Sequence, residues 1–191
     1  ELRPSFKRIR ERVLQQGIRI ERLDMKKLDE AVQYIGPIFN EGWMDNWGHV
    51  PFTDGQLRDL RQELKYVVEP NLTYLAFLRD ECIGFSLSAK DANPALKKAN
   101  GRLFPFGLLR IILEMRKIKR LRTIAMGVLK EHRHRGLDTL FYLNTIEEGI
   151  QMGYRESECS MIVETNQSMI AALERLDAER YKTYRFYQKE L

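Results

Sequence analysis

Apolar and polar residues alternate along Gly17-Ile-Arg-Ile-Glu-Arg-Leu23, the period of a strand with one face in water. The period then lengthens. Leu28, Ala31, Val32, Ile35 and Phe39 recur at helical spacing, which predicts a one-faced helix N-capped by Asp24 and kinked or ended by Pro37. A second helix is predicted from the capping-box pattern Thr53-Asp-Gly-Gln56 and from Leu57, Leu60, Leu64, Val67 and Val68 behind it, with Pro70 as its stop. Two strand-like runs follow at 72–78 and 82–88, joined through Arg79-Asp-Glu81 as a tight hairpin. Thr123-Ile-Ala-Met-Gly-Val128 is short and apolar enough for a buried strand, and 137–152 returns to helical spacing through Leu137, Leu140, Phe141, Ile146 and Ile150. Ahead of the first strand, the highly charged stretch 5–16 with Phe6, Ile9 and Val13 reads as a short outer helix or a connector.

One interval does not fit a compact alternation of elements. Residues 91–121 separate the hairpin from the next strand, and a structureless loop of that length is unusual inside a domain, so helix is expected there. Leu108, Leu109, Ile111, Ile112, Leu113 and Met115 are too apolar to leave in water without a reason. An added core helix accounts for them, and so does an apolar wall over a bound group. The cationic flanks also permit an amphipathic helix lying on an anionic membrane.

With 191 residues and 43% apolar side chains the chain can build one well-packed domain, taken as 17–191, with 1–16 as its connector and 91–121 as an insertion. No apolar run approaches the length of a membrane span, and no signal-peptide pattern is present, although the chain opens at Glu1 without Met. Cys82 and Cys159 are expected as free thiols of a cytoplasmic protein. The net charge of +5 conceals an asymmetry: from Lys97 to Arg135 twelve Lys/Arg stand against Glu114 and Glu131, so the remainder is acidic. Such a segment suits a phosphate-bearing cofactor, an acidic carrier protein, anionic lipid or nucleic acid. Nucleic acid is the poorest fit, since neither a recognition-helix pattern nor an RNA-binding aromatic motif is present.

The chemistry concentrates at Val128-Leu-Lys-Glu-His-Arg-His-Arg-Gly-Leu-Asp138, between the apolar strand and the helix at 137–152. Gly136 lets backbone N–H groups approach a ligand where loop becomes helix. The positive helix terminus, with Arg133 and Arg135 beside it, favours an anion such as a diphosphate. His132 and His134 share this loop with cations, a poor setting for a dication, so no metal is expected.

Strand, then Arg133-His-Arg-Gly136-Leu-Asp138, then helix, resembles motif A of the GNAT (GCN5-related N-acetyltransferase) superfamily. Met161-Ile-Val-Glu-Thr-Asn166-Gln-Ser-Met-Ile-Ala-Ala-Leu173-Glu-Arg-Leu-Asp177-Ala178 is similar to that superfamily's later strand, asparagine, short helix and turn, and 181–187 to its final strand. The resemblance implies a mixed α/β (α+β) fold, with a mostly antiparallel central sheet flanked by helices and a helical insertion before the motif-A strand. It implies an N-acyltransferase using acetyl-CoA or a longer acyl-CoA as co-substrate and a small-molecule amine or amino acid as acceptor. The alternatives are an acyl-carrier-protein-dependent synthase of long-chain N-acyl amino acids and a non-catalytic acyl-CoA-binding domain.

Residue by residue, the resemblance places Met126, Gly127 and Val128 along the pantetheine arm, and Arg133, His134, Arg135, Gly136, Leu137 and Asp138 around the diphosphate. Asn166 marks a turn near the cofactor. Trp43, Asp45 and Trp47, in the stretch after the first helix, become acceptor contacts, together with Phe104 and Phe106 of the insertion. Leu173 stands where many GNAT enzymes place a tyrosine acid, so Glu164, Tyr181 and Tyr184 are the candidate acid/base groups. Asp138 replaces a small residue, and Asp177-Ala178 replaces a Gly-Phe turn.

Overall fold

The computed structural model describes residues 4–44, 46 and 48–189. Its contacts divide into two units, 1–160 and 161–191. The first unit holds a five-stranded sheet in the order β1 (Ile18–Arg22), β2 (Tyr74–Leu78), β3 (Glu81–Lys90), β4 (Arg120–Val128) and β5 (Glu156–Cys159). Each neighbouring pair is antiparallel except β4 and β5, which are parallel and joined by α6 (Leu137–Gln151). This is the mixed, mostly antiparallel sheet that the apolar pattern and the resemblance led us to expect.

Side chains from β2 alternate between two cores. Leu75 and Phe77, with Phe85 and Leu87 of β3, pack against Leu28, Ala31, Val32, Ile35 and Ile38 of α2 (Leu28–Trp43) and Leu64 of α3 (Asp54–Val67). Tyr74 and Ala76, with Ile83, pack on the other face against Leu137, Leu140 and Phe141 of α6 and Val13 of α1 (Pro4–Gln15). α1 is therefore built into this unit, with Val13 fully buried and Arg10 paired to Glu147 of α6.

Two helix boundaries depart from the sequence reading. α2 does not end at Pro37 but runs through it to Trp43. Proline removes one N–H to the carbonyl a turn earlier, yet the flanking Ile35 and Ile38 are buried against the sheet, and that burial outweighs the lost bond. Asp24 caps a single 3-10 turn ahead of α2, by accepting from the Lys26 N–H at 2.9 Å. The Thr53 capping box at the start of α3 forms as its residues predict.

The insertion folds as two helices, α4 (Asn93–Ala99) and α5 (Gly107–Met115), and returns to the sheet beside its point of departure, where Lys90 faces Leu121. Its base is fixed by buried Asp91, whose carboxylate accepts from the Asn93 amide and faces the Arg120 guanidinium.

Candidate active site

β4 is the axis of the site. It pairs with β3 from Leu121 to Val128, but with β5 only from Arg120 to Thr123, where Cys159 is the last partner. Beyond that point a bulge inserts Ile124 into β4, and no described residue of β5 accompanies it. Pairing with β5 therefore stops at Thr123, while β4 runs on to Val128. Leu129 N–H donates to the Ile83 carbonyl at 3.0 Å, and backbone groups in an antiparallel ladder alternate sides. Counting back, Gly127 and Ala125 bond to β3, while Met126 and Val128 turn their N–H and C=O away from β3, to the side that β5 leaves uncovered. The Val128 carbonyl accepts from Arg133 Nε at 3.2 Å, which leaves the Met126 pair for a ligand.

Gly127 lets β4 pack closely on the core under α2. A Cβ there would lie 2.9 Å from the Phe85 ring, 3.2 Å from Ile38 and 3.3 Å from Trp43. Trp43 itself is half-buried and stacks on Phe39 at 4.2 Å between ring centroids, so its first role is to close the core beside β4.

From Val128 the chain enters a 3-10 turn (Lys130–His132), then a loop in which His134 and Gly136 take positive φ of 63° and 84°. Gly136 is the N-cap of α6, and a Cβ on it would press on Ile9 of α1 at 3.0 Å. The first α6 N–H to find a carbonyl is that of Leu140, which donates to Gly136. Among the described residues, the N–H groups from His134 to Thr139 have no acceptor. A run of free donors, a helix N-terminus and two exposed or half-exposed arginines make a cradle for phosphate oxygens. Leu137 contributes only its backbone here, since its side chain is core.

On α6, Tyr142 is buried within electrostatic reach of Cys159, the last residue of β5. Its hydroxyl is buried with no partner among the described residues. Burial, and then the proximity of Cys159 and Asp138, raise its pKa, so it remains a proton donor at any ordinary pH. Cys159, raised mainly by burial and opposed by the Thr123 and Ser157 side chains, is likewise a neutral thiol. Asp138 stands one helical turn before Tyr142. Sequence reasoning passed over Tyr142; the signal was its position four residues after Asp138, on the same helix face.

No protein-family model matches the chain. It is 32% identical over 186 residues to a bacterial ceramide synthase of Caulobacter vibrioides, an alignment covering 94% of this chain and 48% of that protein. The chain spans about half the length of the curated relatives it matches. Among solved structures, it superposes on an aminoglycoside acetyltransferase from an uncultured soil metagenomic sample, in complex with sisomicin, with a TM-score of 0.60, at 14% identity, over 91% of this chain and 97% of that one. It superposes as well on AAC(6')-Iy in complex with the bisubstrate analogue CoA-S-monomethyl-acetylneamine, with a TM-score of 0.56, at 16% identity, over 91% and 99% of the two chains. The fold is that of the GNAT superfamily.

The GNAT resemblance also extended to the second unit, and there the structure corrects parts of it. Residues 161–163 form no strand, since β5 ends at Cys159, and Glu164 lies in an exposed turn, its carbonyl accepting from Gln167 Nε2 at 2.7 Å. The segment 181–187 is likewise not a strand; Tyr181 and Tyr184 are exposed in irregular chain. No strand partner is available to them among the described residues of this unit, which accounts for both departures. Asn166 does fix a turn, as the N-cap of α7 (Gln167–Arg175), accepting from the Met169 N–H at 3.2 Å. Asp177 takes the left-handed position, φ 60°, at which the GNAT pattern has glycine. Ala178 N–H then reaches back to the Leu173 carbonyl and Asp177 N–H to that of Glu174, a Schellman closure with aspartate in the glycine's place.

Asp45 and Trp47 lie outside the described residues. Phe104 and Phe106 stand exposed at the turn before α5. His132 also departs from expectation: its ring is buried, and its Nε2 lies 3.6 Å from Glu131. Glu81, Glu131 and His132 bring ligand-type atoms within 4.8 Å of one another, so carboxylates as well as loop cations surround this ring.

Proposed function

We propose that this chain transfers an acyl group from a coenzyme A thioester to the amine of a long-chain acceptor. The observation that carries the proposal is the run of acceptorless N–H groups from His134 to Thr139, which follows a stretch of β4 that β5 leaves uncovered beyond Thr123. That arrangement fits a ligand with a narrow amide-bearing arm and a diphosphate: Met126 offers backbone groups to the arm, and Arg133 and Arg135 neutralise the phosphates. An acyl-CoA supplies the activated carbonyl; attack by a neutral amine forms the C–N bond and breaks the C–S bond, the amine proton passes to solvent or a nearby base, and coenzyme A leaves as a thiolate that takes up a proton to become the free thiol. A backbone N–H of β4 directed at the thioester oxygen would stabilise the charge that develops there. Glu164, Tyr181 and Tyr184 remain the proposed acid/base groups, and each is exposed enough to exchange protons with water.

The long-chain acceptor is supported by the ceramide synthase relative, since a ceramide is an amide between a fatty acyl group and a long-chain amino alcohol. The test is thiol release from palmitoyl-CoA with a long-chain amino alcohol, with a short amine, and with no acceptor, the amide being identified by mass. Turnover only with the long-chain amine is expected. Arg133→Glu/Arg135→Glu should lower kcat/KM at least about tenfold, because each charge-assisted hydrogen bond contributes about 1.5–3 kcal/mol. Thiol release with none of the amines, or release unaffected by the double substitution, would sink the proposal.

A further inference from the structure

The insertion leaves in water what a fold normally hides. Phe104 and Phe106 are 84% and 74% exposed, and Leu108, Leu109, Ile112 and Leu113 of α5 stand between 47% and 55%. No residue of α5 is buried, and the helix rests chiefly on α4. The apolar surface continues across a cleft of about 430 Å³ to Tyr66 and Val67 at the end of α3.

The insertion's own charge is nearly all of one sign. Between Ala92 and Lys119 every charged side chain is basic except Glu114, which Lys98 and Lys117 neutralise at 2.6 and 2.9 Å. Among the described residues, Lys97, Arg102 and Arg116 have no carboxylate partner. Lysine is depleted in protein-binding patches. An aromatic turn and an apolar helix face ringed by cations instead match the chemistry of a lipid interface, in which apolar side chains enter the acyl boundary and cations meet phosphates. With 9 residues and about 14 Å of length, α5 can lie on a bilayer, and no helix among the described residues is long and apolar enough to cross one.

We propose that α5 and the Phe104-Pro105-Phe106 turn dock this chain on an anionic phospholipid surface. Phe104, Phe106 and the exposed leucines of α5 insert, and Arg102 and Arg116 bind lipid phosphates. This goes beyond acyl transfer and does not rest on it: vesicle binding is read without donor or acceptor, so either conclusion can fail alone.

The experiment is flotation of the chain with extruded vesicles of phosphatidylcholine, alone or mixed with phosphatidylglycerol. Binding at least about tenfold stronger to the anionic vesicles, weakening as salt rises, is expected. Leu109→Ser/Leu113→Ser and, separately, Arg102→Glu/Arg116→Glu should each abolish it while leaving the thermal unfolding curve in place, because all four side chains are exposed. Equal binding to both vesicle types, or binding to neither, overturns the proposal. So does a dimer, seen by light scattering, that Leu109→Ser/Leu113→Ser dissociates, since a second copy would then be the partner.

Discussion

Helices α5 and α6 are both rich in apolar residues, and they occupy opposite environments. α6 enters through a left-handed glycine, lies between the sheet and α1, and buries seven residues including Leu137, Leu140 and Phe141. α5 enters from an exposed aromatic turn and buries none. The difference lies in what each helix is connected to. α6 is the crossover between two adjacent parallel strands, so its length and handedness force it onto the sheet. α5 belongs to an excursion whose two ends, Lys90 and Leu121, sit side by side in the sheet, so nothing in the connection obliges it to return to the core. Apolarity gives a helix a reason to be covered, and topology decides whether its own chain does the covering.

The sharpest way to break this contrast is a matched pair of truncations. Phe141→Ala, at 0% exposure, should cost about 3–5 kcal/mol and lower Tm by roughly 10 °C. Ile112→Ala, at 47% exposure, should cost about 0.5 kcal/mol. Equal losses in differential scanning calorimetry would mean that α5 is covered in solution and that the contrast is false.

A smaller effect is expected where α6 begins. Gly136→Val places a β-branched residue at φ 84°, with its Cβ 3.0 Å from Ile9, and should cost about 2 kcal/mol of unfolding free energy. The same substitution should remove the thermal shift produced by coenzyme A, because it reorients the N–H groups of the cradle. Retention of that shift would show that the cradle does not hold the diphosphate.

The smallest effect concerns the tie between α4 and α5. Hydrogen bonds from Lys98 and Lys117 lower the Glu114 pKa to about 2. A carboxylate depressed in the folded state contributes stability above its unfolded pKa, near 4.5, and loses it as pH falls toward 2. Between those limits Glu114→Gln should flatten a pH dependence that the parent chain shows, with little change at neutral pH. Superimposable Tm curves from pH 6 down to pH 3 would remove Glu114 from the account.

Much of this protein follows from local rules that need no partner. The Thr53 capping box, the alternation along β1, the hairpin at Arg79-Asp80 and the helix after Gly136 each depend on residues within a few positions of one another, and each forms as its sequence predicts. Other features depended on distant contacts. Pro37 is carried inside α2 because the helix on both sides is buried against the sheet, and 161–163 and 181–187 fail to form strands because strand propensity needs a pairing edge. The candidate site divides in the same way. The anion-binding turn at 133–138 was legible, since backbone geometry and charge are local properties. The end of the β4–β5 pairing at Thr123, the open backbone groups of Met126 and the unpartnered Tyr142 hydroxyl were not, because register, bulge and burial exist only once strands distant in sequence have been brought together.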